Sequence, residues 1–293
     1  MDEVMGGART LDGKAVAARV QEEIRQRIAA RAARDGQRPG LAVVQVGEDP
    51  ASSVYVRNKR RTAERLGMRS REVHLPADAG TEAVLAAVAD LAADDAVHGI
   101  LVQLPLPPAV DVEAVLAAIP PDKDVDGLTV TNLGRLLAGR PGLVPCTPAG
   151  IMTLLGAYGI TLDGARAVVI GRSRLVGLPV ALLLQQANAT VTVVHTHTRD
   201  AARLAREAEV LVVAAGRPQL VTAEWVRPGA VVVDVGIHRQ GERLVGDVEA
   251  ASVARVAGYL SPVPGGVGPM TIASLMANTW QAFTEQVPPP EEP

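Results

Sequence analysis

The chain has 293 residues, 48% of them hydrophobic, and a net charge of −3; its longest basic run is Arg57-Asn58-Lys59-Arg60-Arg61, so neither nucleic acid nor an anionic membrane is expected as a main partner. The aromatic residues are two Trp, three Tyr and one Phe, so Val, Leu, Ile and Ala must fill the core, which suits helices laid on parallel strands and argues against base-stacking platforms. The single cysteine, Cys146, excludes an internal disulfide and a cysteine-based metal site within one chain; with an acidic N-terminus and no apolar run of about 18 residues, a cytoplasmic location is expected.

From residue 14 a helical period (Ala15, Val16, Ala18, Val20, Ile24, Ile28) leads to a strand over 41–46 and a helix over 52–66. Two further pairs follow, a strand at 72–75 with a helix near 81–94, and a strand at 99–103 with a helix near 111–119. This alternation predicts an α/β domain with a parallel sheet. Residues 120–148 are rich in turn formers and read as a bridge, after which a helix from Ala149 opens a second domain. Its strands are expected at 167–170, 190–194, 210–214, 230–234 and 258–260, a Rossmann-like doubly wound parallel sheet. A glycine-rich segment, 262–269, precedes a last helix near 270–283. The expected architecture is thus two α/β domains with a cleft between them: residues 1–145 with the C-terminal helix 270–287, and residues 146–269, followed by a disordered tail at 288–293.

In Val-Ile-Gly-Arg-Ser-Arg-Leu-Val-Gly-Leu-Pro, residues 169–179, an apolar strand breaks at Gly171, turns, and enters a helix at Gly177 with Pro179 near its start. Free N–H groups at a helix start favour an anion, and glycine lets a phosphate approach the backbone. The pattern is G-x-S-x-x-x-G and not G-x-G-x-x-G, and on its own is also plain strand–turn–helix architecture. The next strand ends at His195-Thr196-His197-Thr198, with no carboxylate to hold a free ribose. Arg172, Ser173, Arg174 and Thr196 instead suit a 2′-phosphate, which favours NADP over NAD; the bland alternative is solvated loop cations.

In the first half, Tyr55 and Lys59 stand four apart on one helix face. Taken alone, such a pair is more often a solvated face. Gln103 closes an apolar strand, so its amide needs partners, and it lies at a strand's carboxyl end, where open α/β sheets bind ligands. Asp126, before Gly127, has turn aspartate as its commoner role. His74, His98 and His238 show no metal-ligand spacing, and no metal is expected.

These residues fall in segments that resemble one family, the bifunctional methylenetetrahydrofolate dehydrogenase/cyclohydrolases. The segments are V-G-E-D-P-A-S-S-V-Y-V-R-N-K at 46–59, G-I-L-V-Q-L-P-L-P at 99–107, K-D-V-D-G at 123–127, P-C-T-P at 145–148, G-R-S-R-L-V-G-L-P at 171–179 and P-V-P-G-G-V-G-P-M-T at 262–271, spread over nearly the whole chain. The resemblance implies a catalytic lysine at Lys59, Tyr55 packed on the bound folate, Gln103 contacting the lysine, and Asp126 on the pterin ring. It implies that Gly171, Arg172, Ser173, Gly177, Thr196 and Ile237 bind NADP, that Pro264, Gly265 and Gly266 help close the folate cleft, and that the chain pairs as a homodimer through the nucleotide domain. The sequence departs from the family pattern at Val194-His195-Thr196-His197, where Cys-His-Ser and then Lys or Arg are usual.

The implied function is oxidation of 5,10-methylenetetrahydrofolate with NADP, then hydrolysis of the methenyl product to 10-formyltetrahydrofolate. A protonated lysine about 4 Å from the new methenyl cation would cost about 4 kcal/mol at an effective dielectric near 20, so Lys59 is expected to work in its neutral form. It then takes a proton from the attacking water, while Gln103 holds the amine; hydride transfer needs mainly alignment across the interdomain cleft. The rivals are a monofunctional dehydrogenase of the family, a dehydrogenase of small hydroxy acids or shikimate-like substrates, and a non-catalytic folate or nucleotide sensor.

Overall fold

The structure, a computed structural model, describes residues 4–48 and 50–290; Asp49, part of the turn expected before the Tyr55 helix, and residues 291–293 of the expected tail lie outside them. In chain order the elements are β1 (Val4–Met5), β2 (Ala8–Thr10), α1 (Gly13–Asp35), β3 (Gly40–Val46), α2 (Pro50–Arg65), β4 (Arg69–Leu75), α3 (Thr81–Ala92), β5 (Gly99–Val102), α4 (Val112–Ala117) and α5 (Val130–Leu137). They continue with α6 (Cys146–Ala157), β6 (Arg166–Ile170), α7 (Gly177–Gln186), β7 (Thr190–Val194), α8 (Ala201–Ala205), β8 (Val210–Val213), β9 (Val231–Asp234), the hairpin β10 (His238–Gln240) and β11 (Arg243–Val245), α9 (Ala250–Val253), β12 (Tyr259–Leu260) and α10 (Val267–Gln286). Among the described residues no helix is long and apolar enough to cross a membrane.

The chain divides into two compact units, unit 1 being Met1–Ala18 with Thr147–Thr271 and unit 2 being Arg19–Cys146 with Ile272–Pro293. Unit 2 holds a parallel sheet in the order β4-β3-β5. Successive residues of β3 point to opposite faces, and both faces are buried. Leu41 and Val43 pack with Ile24 and Ile28 of α1, Val56 of α2 and Leu275 of α10, whereas Ala42 and Val44 pack with Val84 and Val88 of α3 and Val115 of α4. Helices on both faces explain why β3 is buried along its whole length and apolar but for Gln45.

Unit 1 holds a seven-stranded sheet, β1-β2-β12-β9-β8-β6-β7, parallel except where β1 meets β2. Residues 1–18, expected with the first domain, therefore belong here: β2 is parallel to β12, with Arg9 opposite Tyr259. Three residues are too few to display a strand period, and so nothing local announced them. A second correction falls in the expected bridge at 120–148, which contains α5. Its Thr129 caps the first turn by accepting from the Asn132 N–H at 3.3 Å, but Asn, Gly and β-branched residues make the segment a poor helix former by composition. The following helix starts at Cys146, three residues before the expected Ala149. At the C-terminus, Arg31 donates to the carbonyls of Val287 and Pro288 and Arg34 to that of Pro290, so the described start of the expected tail is held in place.

Candidate active site

In unit 2 the expected catalytic residues converge. Lys59 Nζ on α2 donates to Gln103 Oε1 at 2.9 Å, and Gln103 Nε2 donates to the Leu104 carbonyl at 2.6 Å. The Gln103 backbone N–H reaches Val44 O at 2.8 Å, which extends the β3–β5 ladder by one step and fixes the amide at the carboxyl end of the strand. Both of its polar functions are thus committed, one to the lysine and one to the chain. Tyr55 is 40% exposed one helical turn before Lys59, a large ring left uncovered on the same face.

The sequence leaves two aspartates competing for the turn at 123–127, and the structure gives that role to Asp124. Its buried carboxylate accepts from the N–H groups of Gly127, Leu128 and Thr129 and from Asn132 Nδ2. Asp126 is half-buried and stands apart from that network. Burial pushes its carboxyl above the usual carboxylate range, opposed chiefly by the charge of Lys59. The loop carrying it is pinned: Asn278 Nδ2 of α10 donates to Val125 O at 2.9 Å and Val144 O at 2.8 Å, and Cys146 Sγ donates to Val125 O. Burial and the charge of Asp126 hold the Cys146 thiol well above its ordinary range, so it serves as a donor and not as a nucleophile. Sequence reasoning missed Asn278, an amide 7% exposed on an apolar helix. That setting was its signal.

In unit 1 a cavity of about 380 Å³ lies at the carboxyl ends of β6, β7 and β8, lined among others by Gly171, Arg172, Ser173 and Thr196. Gly171 has φ +116°, and a Cβ there would stand 2.1 Å from Ala214 O. A Cβ on Gly177 would stand 2.3 Å from Gly171 O, so the turn closes backbone on backbone. Ser173 Oγ accepts from the Val176 N–H at 3.2 Å, which shapes the turn and leaves its own proton free to donate. Arg172 is exposed, and burial together with its charge lowers the pKa of neighbouring His195. Gly177 is buried beneath the turn, and Ile237, 41% exposed, does not line this cavity. Pro264 and Gly265 line a different cavity of about 290 Å³ with Asp12 and Lys14, and Gly266 is buried.

A second network escaped the sequence. Asp234, at the end of β9, accepts from the N–H groups of Gly236, Asp247 and Val248, and burial pushes its carboxyl up to about 6 against those bonds. Asp247, fully buried, accepts from the N–H groups of Ala215 and Gly216 and from His238 Nε2 at 2.7 Å. Each carboxylate occupies the space over the other's neighbouring glycine: a Cβ on Gly246 would lie 1.8 Å from Asp234 Oδ2, and one on Gly236 would lie 2.4 Å from Asp247 Oδ1. The readable signal was the pairing of Asp-Val-Gly at 234–236 with Gly-Asp-Val at 246–248.

The residues present suit a dinucleotide phosphate: an open cationic rim, hydroxyl donors and a turn that admits no Cβ, with no carboxylate among the cavity's lining residues. Residues 11–126 match the tetrahydrofolate dehydrogenase/cyclohydrolase catalytic domain, and residues 145–287 match the NAD(P)-binding domain of the same family. The bifunctional protein FolD of Synechococcus sp. (strain WH7803) is 55% identical over 277 residues, which cover 94% of each chain. The solved structure of the bifunctional FolD methylenetetrahydrofolate dehydrogenase/cyclohydrolase of Campylobacter jejuni is 43% identical, with a TM-score of 0.93, covering 95% of this chain and 99% of that one. The FolD of Trypanosoma brucei, solved with NADP cofactor and an inhibitor, is 42% identical, with a TM-score of 0.92, covering 96% and 99%. By both domain matches and by these relatives, the chain belongs to the tetrahydrofolate dehydrogenase/cyclohydrolase family.

Proposed function

We propose that this protein oxidises 5,10-methylenetetrahydrofolate with NADP and hydrolyses the resulting 5,10-methenyl compound to 10-formyltetrahydrofolate, unit 2 holding the folate and unit 1 the dinucleotide. The observation that carries the reading is the Lys59–Gln103 contact at 2.9 Å, with Tyr55 uncovered on the same helix face and Asp126 within reach of the lysine's charge. NADP, when bound, supplies the hydride acceptor. Arg172, Ser173 and Thr196 would hold its phosphates, and Gly171 would let them approach the backbone. Pro264, Gly265, Gly266 and Ile237 are assigned to substrate and cofactor by the family resemblance.

The chain's own chemistry centres on one amine. The Lys59 amine takes the proton of the water that attacks the methenyl carbon, and the Gln103 carbonyl orients that amine. Tyr55 offers its ring to the flat folate. Asp126 accepts from the pterin's ring N–H and amino groups, a charged acceptor for paired donors. Because Asp124 holds the turn, Asp126→Asn is expected to leave the thermal midpoint nearly unchanged while raising KM for folate roughly 10- to 150-fold, the equivalent of about 1.5–3 kcal/mol. Steady-state kinetics and a melting curve on the same preparation check both halves.

The whole reading is tested by incubating the protein with 5,10-methylenetetrahydrofolate and either NADP or NAD, following reduced nicotinamide and the methenyl product after acid quench. Reduced NADP with accumulating 10-formyl product is the expected result; tight folate binding without turnover on either cofactor would overturn it in favour of a sensor. We further assign a homodimer, for which exposed Leu175, Leu178 and Leu244 of unit 1 offer apolar surface, and a cytoplasmic location in line with a lone buried cysteine. Analytical ultracentrifugation tests the first and cell fractionation the second.

A further inference from the structure

We propose that Arg217 is a second cofactor-phosphate residue, and that Arg172 and Arg217 together select the 2′-phosphorylated dinucleotide. The proposal rests on the NADP reading above and adds a determinant from a different strand end. Arg172 follows β6 and Arg217 follows β8, yet both line the same cavity of about 380 Å³. Its other walls divide by chemistry: Ala201, Leu220 and Trp225 supply apolar surface of the kind an adenine ring covers, and Thr196 and Thr198 supply hydroxyls. A phosphate monoester carries nearly two charges and three acceptor oxygens, more than one guanidinium fork satisfies.

The loop bearing Arg217 is fixed on both sides. Before it, the Ala215 and Gly216 N–H groups donate to Asp247 Oδ2 at 2.7 and 2.9 Å; after it, the Gln219 N–H donates to Gly246 O at 2.9 Å. The side chain itself is exposed and makes no ion pair or hydrogen bond to the described residues. An unpaired arginine on an immobilised loop, facing a cavity without carboxylates, is organised for an anion that arrives from outside. His195 does not compete as a cation: its Nδ1 accepts from the His197 N–H at 3.2 Å, and burial and the charge of Arg172 both favour its neutral form.

The test is calorimetric titration of the intact protein with two probes, 2′,5′-ADP and 5′-AMP, in the parent, Arg217→Ala, Arg217→Lys and Arg172→Ala. Arg217→Ala is expected to weaken 2′,5′-ADP by about tenfold or more, as for a lost charge-assisted bond, and to leave 5′-AMP within about twofold, with Arg217→Lys recovering part of the loss. Equal weakening of both probes, or of neither, would overturn the role of Arg217. A parent protein that fails to prefer 2′,5′-ADP would instead overturn the NADP reading itself, and selective loss in Arg172→Ala alone would leave that reading standing while removing Arg217 from it.

Discussion

Lys59→Met is expected to abolish cyclohydrolase activity and to damage the dehydrogenase much less. Methionine keeps the length and apolar stem of lysine, so the half-buried position stays filled while the one amine facing Gln103 Oε1 disappears. Hydrolysis of the methenyl group requires a proton to leave the attacking water, and removing a positioned base typically costs about 10²- to 10⁴-fold. Oxidation moves a hydride and depends mainly on alignment, so its rate should fall by a smaller factor. Separate assays of the two activities on one preparation give the answer. Cyclohydrolase activity equal to that of the parent would remove Lys59 from the mechanism.

Asp247→Ala is expected to destabilise unit 1 by about 3 kcal/mol, since it removes the buried carboxylate that accepts from the Ala215 and Gly216 N–H groups and strips His238 of its partner. For a protein of this size that lowers the thermal midpoint on the order of 10 °C. The same change frees the loop after β8, so dinucleotide binding should weaken beyond what the melting curve alone accounts for. Asp247→Asn should lose less: its carbonyl can still accept from the two N–H groups, and His238 can receive the new amide by switching tautomer. A midpoint unchanged in Asp247→Ala would show that the two loops hold without it.

The contrast between these two sites tracks what a sequence can display. Lys59 and Tyr55 are readable because a helix places residues four apart on one face, and Gln103 because an amide ends an apolar strand. Their meeting, across 44 residues, is a product of parallel pairing between β3 and β5, which brings α2, following β3, and the end of β5 together at the carboxyl end of the sheet. Asp124 and Asp126 have the same local look, and only the inward course of the 124–129 turn separates a structural carboxylate from one left to bind. Asp234 and Asp247 gave only the faint signal of their mirrored glycine neighbours, because their partners, His238 apart, are backbone N–H groups, which every sequence contains. Arg217 was silent for another reason: Gly216-Arg217-Pro218 reads as a turn, and nothing in it tells which cavity the turn borders. The apolar strands of both sheets stood out as uninterrupted runs, whereas β1, β2 and α5 are too short or too mixed in composition to rise above their flanks.

The place of β12 between β2 and β9 has a consequence for how the chain is made. β2 is made some 250 residues before β12, its parallel neighbour in the sheet. Until β12 is made, β2 pairs with β1 alone and the outer edge of β9 carries unpaired N–H and C=O groups, the kind of edge that recruits other chains. Unit 1 thus cannot close its sheet until β12 has been made, and the β1–β2 pair waits for it. A nascent chain stalled before Tyr259 would carry both sticky edges at once, which makes the stretch between β9 and β12 the interval in which a chaperone has most to protect.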